Sequence, residues 1–363
     1  MNNLVQQLYT AMERNKWDAM LITDPKHVYY FTGFACDPHE RFLGIVLALG
    51  QDPVLIVPAL DGDKAAADSS IKRIATHKDT DNPYLILREQ LPSSLHTFGI
   101  EKAHMTVQRY EALQTVVQAA NVEDIGQELQ SLRVVKTDEE IERMQAAADC
   151  VETVLGNVVE RVRVGMTEAE VVAELEYEMK KQGAEGPSFS TMVLTGDNSA
   201  LPHGIPGNRR IQEGDLLLFD LGVYLNGYAS DITRTFAVGE VSDELKAIYN
   251  TVLVANEAAI AAVKPGVTFG SLDRTARDLI TEKGYGEYFT HRLGHGLGID
   301  VHEYPSIHEH NEDTLQPGMA FTIEPGVYVP GVGGVRIEDD VVVTKDGVRV
   351  LTSFPKELTV IGV

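Results

Sequence analysis

Asp220, Asp231, His295, Glu324 and Glu338 all fall in the last 144 positions of a 363-residue chain, each in an apolar, glycine-containing stretch that reads as strand or tight turn. Four carboxylates folded against one another would lose hydration and repel, whereas two divalent cations would neutralise them. The chemistry open to such a set is hydrolysis at a two-metal centre. Mostly oxygen donors with a single imidazole suit manganese and admit zinc or cobalt. A water shared between two such ions drops from a pKa of 15.7 toward about 7, so hydroxide is available at neutral pH.

Two hairpins have to bring these side chains together. Leu216 to Tyr224 and Tyr228 to Val238 flank Asn226-Gly227, the strongest short turn signal, which predicts a two-residue loop. Positions summing to 453 then face each other, so Asp220 opposes Thr233 and Asp231 lies two residues away on the same face. Glu324 and Glu338 are symmetric about Gly331 in the turn-rich run Pro330 to Gly334, which predicts that they face each other from one side of a second hairpin. Arg336, two residues before Glu338, shares that face and could anchor a ligand carboxylate or orient the neighbouring acids.

The hairpins belong to a duplicated region. Val162-Arg-Val-Gly-Met-Thr167 resembles Val263-Lys-Pro-Gly-Val-Thr268 at an offset of 101, and Ile211 to Gly222 resembles Leu315 to Gly326 at an offset of 104. A period this long indicates two fused halves, with Asp220 falling on Glu324 and the site on a pseudo-two-fold axis. Ahead of it, Leu4, Val5, Leu8 and Met12 recur at helical spacing, and Ala19 to Thr23, Leu43 to Leu49 and Val54 to Val57 have strand length and apolarity. Thr137 and Glu140 form a capping box that opens a long amphipathic helix. The expected fold class is α/β (α+β), with a small α/β domain over residues 1–128 and a duplicated catalytic domain over 129–363.

Composition narrows the partners. Acidic residues number 54 against 31 basic ones, for a formal charge of −23, which disfavours nucleic acid and anionic membranes. Cys36 and Cys150 are too few for a disulfide framework and suit a reducing compartment. Met1 to Asp18 lacks a signal-peptide pattern, and the apolar run Thr251 to Val263 is interrupted by Asn256 and Glu257 and too short to span a bilayer. A cytoplasmic protein is expected.

The motifs Phe219-Asp-Leu-Gly222, Ser230-Asp-Ile-Thr-Arg-Thr235, His291-Arg-Leu-Gly-His-Gly-Leu-Gly298, Val301-His-Glu303, Thr322-Ile-Glu-Pro-Gly326 and Val335-Arg-Ile-Glu-Asp339 together resemble the pita-bread metallopeptidases, and among them the bacterial prolidases. Tyr30 to Phe34 and Asp37 to Arg41 carry a weaker likeness in the first domain. The resemblance implies that Asp220, Asp231, His295, Glu324 and Glu338 hold two divalent ions per subunit, with Asp231 and Glu338 bridging them. It further implies that Glu324 shuttles a proton and that His203, His291 and His302 bind substrate and stabilise the oxyanion. The implied reaction is hydrolysis of Xaa-Pro dipeptides by a homodimer.

A dipeptidase must sense a free C-terminal carboxylate. Arg292, or His39 and Arg41 in the Asp37 to Arg41 loop reaching across a dimer, could supply the cation. An aminopeptidase P acting on longer peptides is the alternative. A metal-free creatinase-like hydrolase or a non-catalytic module would have no need of the complete ligand set, and the large first domain disfavours a methionine aminopeptidase.

Overall fold

The computed structural model describes residues 3–362. Two compact units divide the chain, one reaching Leu132 and the other starting at Arg133. The first is a six-stranded mixed sheet whose strands include Ala19–Ile22, Gly44–Ala48 and Val54–Pro58, with helices between them. These strands coincide with the apolar runs because both faces of the sheet are covered: the whole of each is buried. The first helix, Asn3–Asn15, packs Val5, Leu8 and Met12 against this sheet.

The second unit opens with the helix Asp138–Val159, capped reciprocally by Thr137 and Glu140. Its buried face, including Val151, Val154 and Leu155, packs on Val193, Leu217 and Phe219 of a sheet built from Met192–Thr195, Leu216–Leu221, Ile232–Val238 and Val360–Ile361. The helix Asp243–Ala261 does the same for the second half, setting Ile248, Val252 and Ala255 against Phe321, Ile323 and Val341 of a five-stranded sheet.

Corresponding joints confirm the internal repeat. Gly165 and Gly266 have positive φ of 93° and 84°, and Gly214 and Gly318 of 91° and 90°. Thr167 bridges Arg210 and Thr268 bridges Thr314 in the same antiparallel sense. Gly165 N–H donates to Ile211 O and Gly266 N–H to Leu315 O, both at 2.9 Å. The repeat persists where the chain reverses because left-handed turns tolerate few residues other than glycine.

Both predicted hairpin registers are present. Asp220 pairs with Thr233, Tyr224 with Ala229 and Leu225 with Tyr228, closed by Asn226 and Gly227 at φ of 52° and 76°, as a type I′ turn requires. In the second hairpin Ile323 pairs with Asp339 and Gly326 with Arg336, so the register is symmetric about Gly331. The ladder is interrupted between those pairs, and Glu324 and Glu338 lie in the interruption.

Candidate metal centre

A cavity of about 640 Å³ in the second unit is lined by Asp220, Asp231, His295, Glu324 and Glu338, the five residues singled out by type and spacing. Asp220 is the last residue but one of the strand Leu216–Leu221, Asp231 precedes a strand, and His295 sits in the short strand Gly294–Gly296. Ligand atoms of Asp231, His295 and Glu338 lie within 4.8 Å of one another. Asp231 and Glu338 are 4% and 2% exposed, which leaves water little part in solvating them.

Their hydrogen bonding is incomplete in an informative way. Thr233 Oγ1 donates to Glu338 Oε2 at 2.7 Å, while Glu338 Oε1 and Asp231 Oδ1 are buried without a partner. His295 Nδ1 lies 3.2 Å from Gly296 O, which can only accept, so the hydrogen sits on Nδ1. The bare Nε2 then faces Glu324 Oε1 at 3.3 Å and Asp231 Oδ2 at 3.7 Å. Lone pairs aimed at lone pairs repel unless a cation or a proton stands between them. Oxygen-rich donors, one imidazole fixed by a backbone carbonyl and two orphaned carboxylate oxygens fit divalent cations.

Electrostatics agree. Burial, then Glu338 and Asp220, push Asp231 well above the usual carboxylate range. Burial, then Glu324 and Asp220, do the same to Glu338. Glu324 is pushed up to about 7, chiefly by burial, with Asp220 adding to it against the opposing charges of Arg336 and Arg292. Burial lowers His295 to about 3, with His302, whose ring centroid is 3.8 Å away, adding to the effect. Without cations, burial therefore favours the protonated forms of Asp231 and Glu338 and the neutral form of the His295 imidazole.

The basic residues divide into engaged and available. Arg336 is buried and gives its Nε to Thr233 Oγ1 at 3.1 Å, its Nη1 to Tyr328 Oη at 2.7 Å and its Nη2 to Asp220. Of its two sequence-derived roles, this geometry supports orienting the acids. His291 Nδ1 lies 2.7 Å from Arg292 O and its Nε2 3.0 Å from Tyr328 Oη, so both ring nitrogens have protein partners. Arg292 lines the cavity, donates to Ser306 Oγ at 3.0 Å and, among the described residues, forms no ion pair with an acid. His203 and His302 also line the cavity.

His39 and Arg41 belong to the first unit, where they line a separate cavity of about 100 Å³. The Arg41 guanidinium is already paired with Asp79, at 2.7 and 3.1 Å.

Several contributors escape sequence reasoning. Tyr328, which links His291 to Arg336, stands opposite Gly334 in the second hairpin, and a large residue facing a glycine across a ladder was the available signal. Asp340, whose Oδ2 accepts from Asp231 N–H at 3.0 Å, was visible only as one more acid in the run Glu338 to Asp340.

Comparison with known proteins adds relatives that share this architecture. The model of metallopeptidase family M24 matches residues 142–345, and that of the creatinase/prolidase N-terminal domain residues 5–135. YkvY of Bacillus subtilis (strain 168), whose name assigns it provisionally to the dipeptidases, is 44% identical over 99% of this chain and 100% of its own. The crystal structure of a prolidase from Pyrococcus horikoshii OT3 superposes with a TM-score of 0.92 at 38% identity, covering 98% of this chain and 100% of that one. An X-Pro aminopeptidase from Thermotoga maritima MSB8 gives a TM-score of 0.87 at 35% identity over 97% and 100%.

Proposed function

This chain belongs to metallopeptidase family M24, and from that premise we propose that it hydrolyses Xaa-Pro dipeptides using two divalent cations held by Asp220, Asp231, His295, Glu324 and Glu338. It has that family's fold, a small α/β unit followed by a duplicated pita-bread unit. The observation that carries the metal assignment is the pair of buried, unpartnered oxygens on Asp231 and Glu338 beside the bare His295 Nε2. Manganese is the assigned metal, with zinc or cobalt as substitutes, on the strength of the oxygen-rich donor set. Bound divalent cations supply Lewis acidity that polarises the scissile carbonyl and makes hydroxide available near neutral pH.

The protein groups do the rest. Glu324 takes a proton from the attacking water and passes it to the departing proline nitrogen, which would otherwise leave as a poor anion. His302 and His203 donate to the carbonyl oxygen as negative charge develops on it. Arg292, lacking an acidic partner among the described residues, pairs with the free carboxylate of the dipeptide. His291, with both nitrogens engaged, acts through Tyr328 to hold Arg336 and thereby Asp220. Arg41 is left out of this scheme because Asp79 already meets its charge, and His39 with it. A homodimer completes the reading, in the cytoplasm, an address supported by the free thiols of Cys36 and Cys150.

A panel of proline dipeptides and of tripeptides with proline second, assayed after chelation and manganese re-addition, tests this. Restored cleavage of dipeptides is the expected result. Cleavage of tripeptides alone selects the aminopeptidase reading, and activity that survives thorough chelation overturns the mechanism.

A further inference from the structure

Asn256 lies within the helix Asp243–Ala261, fully buried among Val252, Ala255 and Ala259. A primary amide in such surroundings destabilises the fold unless its hydrogen bonds are made. Its Nδ2 donates to Ile323 O at 3.1 Å and to Ile337 O at 3.3 Å. Its Oδ1 accepts from Lys356 Nζ at 2.9 Å, and that ammonium also holds Asp339 Oδ2 at 2.9 Å.

The two carbonyls are not arbitrary acceptors. They belong to the peptide groups Ile323–Glu324 and Ile337–Glu338, so each lies one bond from the nitrogen of a proposed cation ligand. Cross-strand pairing stops at Ile323 with Asp339 and resumes at Gly326 with Arg336, and the two glutamate N–H groups turn away from each other, to Leu293 O at 2.8 Å and Thr233 O at 3.1 Å. The Asn256 NH2 group spans this interruption beside the Ile337 N–H to Pro325 O bond of 3.4 Å, and by holding both carbonyls it ties the two peptide planes to each other. Arg234 holds the following carbonyl, Glu338 O, with Nη1 at 2.5 Å, and Asp339 Oδ1 with Nη2 at 2.8 Å.

The geometry points to Asn256, secured by Lys356, as a positioning residue that sets the separation of Glu324 and Glu338 for cation capture, acting through their peptide planes and touching neither carboxylate. This inference rests on the two glutamates being cation ligands, as proposed above. Outer groups of this kind typically contribute about 10- to 100-fold to metal affinity.

The test replaces Asn256 by leucine, which fills a similar volume but donates nothing, and separately Lys356 by methionine, which lets the amide turn. Manganese affinity is measured by competition with a chromogenic chelator, the fold of the metal-free protein by urea unfolding, and kcat and KM on a proline dipeptide at saturating metal. Asn256→Leu is expected to weaken manganese binding about 10- to 100-fold and Lys356→Met about 3- to 10-fold. The dipeptide KM should stay within about twofold while kcat falls. Lowered urea stability with unchanged affinity in Asn256→Leu overturns the inference. If Asn256→Leu does not fold, unchanged affinity in a folded Lys356→Met overturns it equally. Wild-type protein that binds no manganese refutes the reading of the site itself, a failure distinguishable from the first because it needs no variant.

Discussion

Metal uptake at this site has to be coupled to proton release. In the metal-free protein Glu324 keeps its proton up to about pH 7 instead of its ordinary 4.5, through burial first and repulsion from Asp220 next. Asp231 and Glu338 are displaced in the same direction, also through burial first. A cation must displace these protons, so competition by Glu324 alone weakens apparent affinity about tenfold at pH 6 relative to well above pH 7. The other two acids make the dependence steeper. Calorimetric titration with manganese from about pH 5.5 to 8, in buffers of different ionisation enthalpy, counts the protons directly. At least about one proton per site should be released near pH 6. Affinity that is flat across this window, with no protons released, would refute the reasoning.

The sign for stability follows from the same shift. A carboxyl whose folded pKa is raised favours the metal-free fold fully below about 4.5, and that contribution is lost as pH rises through about 7, amounting to roughly 3 kcal/mol at most for Glu324. Metal reverses the trend by binding the ionised form. The gain in melting temperature on adding manganese should therefore grow from pH 5 to pH 8.

Arg292→Ala should raise the dipeptide KM about 10- to 100-fold and leave that of the C-terminally amidated dipeptide unchanged; steady-state kinetics on the pair decide it, and a parallel rise in both would remove Arg292 from carboxylate recognition. Glu324→Gln should lower kcat about 10²- to 10⁴-fold, with metal content read separately by elemental analysis. Gly294→Ala would push a methyl group into the Thr322 carbonyl beside His295 and should destabilise by about 2–4 kcal/mol in urea unfolding. Gly331→Ala, where nothing lies within 4 Å and only the φ of 76° is strained, should cost about 1–2 kcal/mol.

The acids of the cavity were legible because strand period and turn chemistry are local: Asn226-Gly227 dictates which residue faces Asp220, and symmetry about Gly331 aligns the second hairpin. The capping box at Thr137 was legible for the same reason. Asn256 showed itself only as a polar interruption in an apolar run, since its partners lie 67 and 81 residues away and no period relates them. Asp340 was hidden likewise, Tyr328 showed only as a large residue opposite a glycine, and the full engagement of Arg336 and His291 could not be read from residue type. The strand period placed Arg336 on the face of Glu338, and packing decided that protein atoms would consume its donors.

The repeat halves of the second unit are joined where the chemistry is proposed. Glu338 N–H donates to Thr233 O at 3.1 Å, and Thr235 Oγ1 donates to Arg336 O at 3.0 Å, so the repeat halves are sewn together by main-chain and hydroxyl stitches at the cavity floor. Parting the halves would tear this seam and scatter the acids in the same motion. The geometry of the cavity and the packing of the two halves are therefore one and the same feature. The segment that carries Pro202 and His203 to the cavity wall is not part of this seam, and its Leu201 and Ile205 are exposed.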